Sequence, residues 1–228
     1  DYYSEGELIW LDADTLIRKL SHNKRSLNDF CARFLGLGGN TPPEVVPYTF
    51  DDLVASLNAV QPYDWAGFLN ERITSKSPHA PLAGIANGGY RIEYTDQENN
   101  YIRAEESTGR GVDAWYSIGL RTEDDTIKDV LIGSPAYSTG LGPGMKIIAV
   151  NGRRATDDLL HQAIRNAKGN GPDVELIVEN AGYFKVVKID YHDGERYPHL
   201  VREPNTRATL DDILKPMTKH PELRGAEE

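Results

Sequence analysis

The spacing of apolar residues changes once along this chain, and that change restricts it to helices followed by strands. In GELIWLDADTLIRKL, residues Ile9, Ala13, Leu16, Ile17 and Leu20 recur at helical spacing, leaving Asp12, Asp14, Arg18 and Lys19 mostly on other faces. Ser26, with Asp29 three residues on, reads as a capping box that opens a second helix, closed by Gly36. Thr49 and Asp52 stand in the same relation ahead of a third helix carrying Leu53, Val54 and Leu57. A fourth is predicted from Pro62 to Asp64 onward, with Trp65, Phe68, Leu69 and Ile73. The longest break is GLGGNTPPEVVP, residues 36–47. After SKSPHAPLAG the period becomes two. Tyr90, Ile92 and Tyr94 alternate with Arg91 and Glu93, and DVELIVE and YFKVVKIDY carry the β-branched and aromatic residues that suit a pleated, half-buried surface. The boundary is expected between Ser75 and Gly89. One helix, TDDLLHQAIRNAKG, interrupts the strands, capped by Thr156 or Asp157 and ended by Gly169, with Leu160, Ala163, Ile164 and Ala167 on one face. A last helix-like run, TLDDILKPM, follows Arg207, ahead of polar residues expected to fray.

At 228 residues the chain is long enough for one large domain or two small ones. A net charge of -10, with no basic run, argues against a nucleic-acid surface, which needs clustered Lys and Arg to displace counterions from phosphates. No apolar stretch approaches the roughly 20 residues that cross a bilayer, so no membrane partner is expected. The chain opens on DYYSEG with neither an initiator Met nor a signal-peptide pattern, and reads as a fragment of a larger protein. Its single cysteine, Cys31, lies in the apolar run LNDFCARFL and reads as a buried, inert thiol. No internal repeat is evident, and the glycines of GLGGN and GNG lack the strand-turn-helix context of a dinucleotide site.

Candidate binding chemistry sits in YSIGLRTEDDTIKDVLIGSPAYSTGLGPGMKIIAVNG, residues 116–152. Ile118 and Leu120 share one face of a strand, and Gly119 between them has no side chain to block approach to the backbone. Successive backbone N–H groups at such a loop, Ser117 to Leu120, make a concave anion site suited to a peptide's terminal carboxylate. The rest of a peptide could then pair with the edge of Leu120 to Glu123, opposite the helix bearing Leu160, Ala163, Ile164 and Ala167. In the competing reading these apolar positions are simply core. YSIGL, SPAYSTGL, GPGMKIIAVNG, the helix 158–168 and ELIVE fall in the order of a PDZ domain and resemble its bacterial form. The resemblance implies an α+β fold: a small helical subdomain, then a PDZ-like, partly open β-barrel with one main helix. On that basis residues 1–80 are the helical part, 81–204 a PDZ domain with flanking strands, and 205–228 a C-terminal helix and tail.

YYSEGELIWLDADTLIRKLSHNKRSLNDFCARFLG, GYRIEYTD, RGVDAWYSIGL and DGERYPHLVREPNTRATLDDILKP narrow the resemblance to PDZ-bearing glycyl aminopeptidases, zinc metallopeptidases related to the gluzincins. The likeness runs from Tyr2 to about Pro216 and implies a bacterial origin, with a periplasmic or secreted location conceivable. That family's chemistry needs zinc on an H-E-x-x-H helix and a downstream Glu. This chain has no such motif, and its six His, at positions 22, 79, 161, 192, 199 and 220, include no i, i+4 pair. His192 and His199, which flank DGERYP, read as turn residues. No metal or cofactor site is therefore expected in this chain; zinc would belong to an upstream catalytic domain of the same protein. Tyr3-Ser4-Glu5-Gly6 has the Tyr-x-x-Gly spacing with which related aminopeptidases place an oxyanion-stabilising Tyr at the start of a helix. The resemblance thus implies a role for Tyr3, with Tyr2 as the alternative, although the middle pair departs from the Glu-Lys common in those relatives. The competing reading is an aromatic that staples the helix to the core, with Glu5 and Glu7 serving the helix dipole.

Three functions follow. The chain is the non-catalytic part of an aminopeptidase acting on N-terminal Gly or Ala, or a module binding a peptide or protein C-terminus in the PDZ groove, or a structural brace with no peptide ligand.

Overall fold

The computed structural model describes residues 2–36, 45–77, 79–109 and 111–216. In chain order these form α1 (Tyr2–Leu20), α2 (Leu27–Phe34), α3 (Phe50–Val60), α4 (Trp65–Thr74), α5 (Ala83–Asn87), β1 (Tyr90–Thr95), α6 (Asn100–Thr108), β2 (Asp113–Ala114), β3 (Leu120–Glu123), β4 (Thr126–Val130), α7 (Pro135–Ser138), β5 (Lys146–Val150), β6 (Arg153–Arg154), α8 (Asp157–Asn166), β7 (Val174–Asn180), β8 (Tyr183–Ile189), β9 (Tyr197–Arg202) and α9 (Thr209–Leu214). The chain divides into two compact units, one up to Arg91 and again from Val201, the other Ile92–Leu200. β1 and β9 pair as a two-stranded sheet.

The helical unit starts its helices where the capping residues stand. Ser26 and Thr49 each accept from the helix while Asp29 and Asp52 accept from the Ser26 and Thr49 N–H, so both reciprocal boxes are closed. Asp64 caps α4 by accepting from Gly67 N. Helix α2 ends at Phe34 with Leu35 as its C-cap, one residue before Gly36. Most of the loop 36–47 lies outside the described residues. Ala13, Ile17, Phe30, Leu57, Val60, Trp65, Phe68 and Leu69 form the core. Cys31 packs half-buried at its margin.

Asp12 and Asp14, which lie off the apolar stripe of α1, are buried as well. Helix α1 is covered on a second face by α5, where Gly84 approaches so closely that a Cβ would lie 2.7 Å from Asp12 N. The buried carboxylates are paired: Asp12 accepts from Arg72 Nε at 2.9 Å and Nη2 at 2.6 Å, and Asp14 accepts from Leu27 N at 2.7 Å and Arg18 Nε at 3.1 Å. The first division into compact units falls at Arg91/Ile92, two residues past the interval from Ser75 to Gly89. Residues from Val201 join the helices because Leu210 N donates to Gly88 O, Glu203 N to Gly89 O, and Arg202 Nη1 to Gly89 O at 2.7 Å. Helix α9 matches the TLDDILKPM run; the polar residues after Pro216 lie outside the described residues.

The second unit is α+β, with α8 as its main helix. Its seven-stranded antiparallel sheet runs β2-β3-β4-β5-β7-β8, with β6 paired to β5, and the path is open rather than closed into a barrel. The longest ladder, β7 with β8, pairs Val174 with Ile189 through to Asn180 with Tyr183. Ile118, Leu120, Ile127, Val150, Leu160, Ile164, Leu176 and Ile189 are among the buried side chains of its core. Two further helices, α6 and α7, stand among the strands where the period alone predicts one. Helix α6 has a polar sequence, NYIRAEEST, with Ile102 its buried residue, so it carries almost no helical stripe to read.

Candidate functional site

The expected carboxylate site is the loop from Trp115 to Gly119 with the β3 edge beside it. Its backbone turns sharply, with Gly119 at φ 76°. The space that the missing Gly119 side chain leaves is taken by Ser134, whose Cβ would stand 2.2 Å from an added Cβ. Two of the loop amides are engaged within the chain: Ser117 N and Gly119 N both donate to the Ala114 carbonyl, at 3.1 and 3.0 Å. The Ser117 hydroxyl, also buried, accepts from Arg196 N at 3.0 Å.

The edge of β3 is likewise taken. β2 pairs with it antiparallel, Asp113 opposite Arg121 and Ala114 opposite Leu120. One residue further out, Thr122 N donates to Val112 O at 3.0 Å, and Val112 N donates to Thr122 Oγ1 at 2.9 Å. Side chains alternate as in any strand: Val112 and Ala114 are buried in the core, and Asp113 turns out to accept from Arg121 Nε at 3.0 Å. Gly111–Ala114 therefore lies where an added peptide strand would lie. The four helix residues read as groove candidates, Leu160, Ala163, Ile164 and Ala167, are all buried in the same core, as are Ile118 and Leu120.

Behind β2 stands a polar cluster that sequence reasoning missed. Glu106 on α6 accepts from Asp113 N at 2.9 Å through Oε1, while its Oε2 lies 3.3 Å from His161 Nε2 on α8. His161 Nδ1 lies 2.7 Å from Glu195 Oε1, and Arg165 Nη1 donates to both oxygens of Glu195, at 3.1 and 3.0 Å. Burial works against a charge on His161, but the hydrogen bonds to Glu106 and Glu195, and their charges, outweigh it and lift its pKa to about 9. For Glu195 burial likewise opposes ionisation, and the bonds to His161 and Arg165 prevail and lower its pKa. Burial, with the nearby Glu195 and Glu106 charges, pushes the Tyr197 phenol up. The alternation of Val112 and Ala114 in RGVDAWYSIGL was the available signal for β2, three residues too short to separate from a turn.

At the other end of the chain, Tyr2 and Tyr3 occupy the first turn of α1, 75% and 70% exposed, with their rings 4.3 Å apart. Neither staples the helix to the core. Glu5 does stand in that first turn, as the helix-dipole reading expects.

One group of three metal-capable side chains comes together among the described residues: Asp173, Asp190 and His192. His192 Nδ1 lies 2.7 Å from Ala167 O, a bond that raises its pKa, and Nε2 faces the two carboxylates at 3.5 and 3.2 Å. Two exposed Asp around one His, on a surface with no H-E-x-x-H helix, do not fit an aminopeptidase zinc site. His192 lies between β8 and β9, whereas His199 stands within β9, with Nε2 2.7 Å from Gln97 O, rather than in a turn.

No protein-family model matches this sequence, and no curated protein matches it. Among solved structures, an aminopeptidase N family protein from Idiomarina loihiensis is similar over 95% of this chain and 36% of its own, at 18% identity and a TM-score of 0.63. This chain thus spans about a third of that protein's length. The HtrA3 PDZ domain bound to a phage-derived ligand, FGRWV, matches 50% of this chain and 93% of its own, at 17% identity and a TM-score of 0.27. The chain shares its fold with part of an aminopeptidase N family protein.

Proposed function

We propose that this chain is the non-catalytic C-terminal portion of a zinc-dependent aminopeptidase acting on N-terminal Gly or Ala, and that its PDZ-like unit is a structural brace rather than an open peptide receptor. The observation that carries the brace reading is the filled edge: the Ala114 carbonyl takes the Ser117 and Gly119 amides, and β2 pairs with β3. The fold shared with part of an aminopeptidase N family protein supports the parentage. Because the sequence carries no H-E-x-x-H motif, we place the metal in an upstream part of the protein, and no step at the metal is assigned to this chain. The residue it offers to the reaction is Tyr3, or Tyr2 beside it, an exposed phenol able to donate to a developing oxyanion.

The test is fluorescence anisotropy of pooled peptides against the chain, each pool with a free C-terminal carboxylate and again amidated. The brace reading expects neither form to bind up to high micromolar concentration. Binding that needs the free carboxylate would replace it with the receptor reading.

A further inference from the structure

The segment that fills the β3 edge is short, and one side chain anchors it from outside the sheet. β2 contributes two paired positions to the ladder, with Val112 beside them. Glu106 is the link between this segment and α8, holding Asp113 N with one oxygen and His161 with the other. His161 is held from its far side by Glu195, which Arg165 also grips, so Glu106 closes onto a fixed partner. The run of contacts β3, β2, Glu106, α8 spans the interval that would otherwise be an open groove.

We propose that Gly111–Ala114 is an internal ligand held in place by a Glu106 latch, and that releasing the latch turns the unit into a receptor for an extended peptide ending in the same pattern: apolar, acidic, small. The proposal rests on the brace reading, since it makes the filled edge conditional on one contact. The pattern comes from the internal strand. The place of Ala114 is buried and admits a methyl; that of Asp113 faces the Arg121 guanidinium; that of Val112 is buried and apolar. A peptide ending Val-Asp-Ala would bring its terminal carboxylate to the Ser117 and Gly119 amides that the Ala114 carbonyl now occupies. A carboxylate there accepts with charge, which makes it the stronger acceptor of the two. Local opening of this kind starts where few ladder bonds hold a segment, and β2 has two paired positions.

Two variants of the full chain release the segment in different ways. Glu106→Ala removes the latch. Gly111→Ala leaves the latch but drives a Cβ to 2.2 Å from the Thr122 carbonyl oxygen, forcing the segment off β3. Amide exchange is followed at Val112 and Thr122, with Ile127 and Ile147, which donate across β4 and β5, as internal controls. A fluorescent peptide ending Val-Asp-Ala is titrated alongside, as free acid and as amide. The expected result is exchange at least tenfold faster at Val112 and Thr122 in both variants, controls unchanged, and free-acid binding at least tenfold tighter than to the unmodified chain. Unchanged exchange, or faster exchange spread to the controls, overturns the latch. Faster local exchange without peptide binding, or binding that survives amidation, overturns the receptor. If the unmodified chain binds the free acid as tightly as the variants, the brace reading itself fails; if neither binds, the brace reading stands and the receptor proposal fails.

Discussion

Gly119 shows how one residue's role is set by what surrounds it. Between Ile118 and Leu120 it reads as an opening to the backbone, yet its φ of 76° and the Ser134 side chain against it make it a packing requirement of the turn. Gly119→Ala is therefore expected to destabilise the second unit by at least the 1–2 kcal/mol or so that a left-handed conformation costs a residue with a Cβ, with the steric conflict added. A thermal melt would show the midpoint several degrees lower. An unchanged midpoint would mean that the loop and Ser134 relax apart without cost. Asp12 carries the same lesson. Its sequence neighbours place it off the apolar stripe of α1, but the approach of α5 buries it, and Arg72 keeps it satisfied.

At the scale of elements, the helices that were legible are those with a local start signal. Ser26 and Thr49 each close a reciprocal box, so Ser26→Ala and Thr49→Ala are each expected to cost about 1 kcal/mol. The two sites head different helices and share no hydrogen bond, so the double variant should lose close to the sum of the two in urea unfolding. A double variant no worse than either single one would show that one of the caps is idle. Helix α6 and strand β2 were not legible in this way. The first has an Asn99 cap but a single buried apolar residue, and the second is two residues long. What defines both is tertiary: Asn99 Nδ2 donates to Pro198 O, and Asp113 N reaches Glu106.

At the largest scale, the second unit carries a buried charge cluster whose protonation is linked to folding. His161 lies among Glu106, Glu195, Arg165, Tyr197 and Asp157, and its pKa stands near 9 against an ordinary value of 6.5. A raised folded-state pKa means that the native state holds the proton more tightly. The stabilisation is thus complete below pH 6.5 and is lost as pH rises through about 9, on the order of 3 kcal/mol in all. Urea unfolding at pH 6, 8 and 10 should show the midpoint falling across this window in the unmodified chain and much less in His161→Gln. An equal fall in both would place the pH dependence elsewhere.

The sequence by itself determined the change from helices to strands and the starts of the capped helices, because apolar periodicity and caps are local and each residue's neighbours along the chain decide them. Even the apolar face of α8 was present in the spacing of Leu160, Ala163, Ile164 and Ala167. Only the tertiary structure decided that those residues face core, that the segment after Val201 belongs with the helices, and that Gly111–Ala114 occupies the β3 edge. The physical reason is that an unpaired strand edge must satisfy its N–H and C=O groups. Which segment does so depends on contacts between residues such as Glu106, Asp113 and His161, far enough apart in sequence that no local pattern links them.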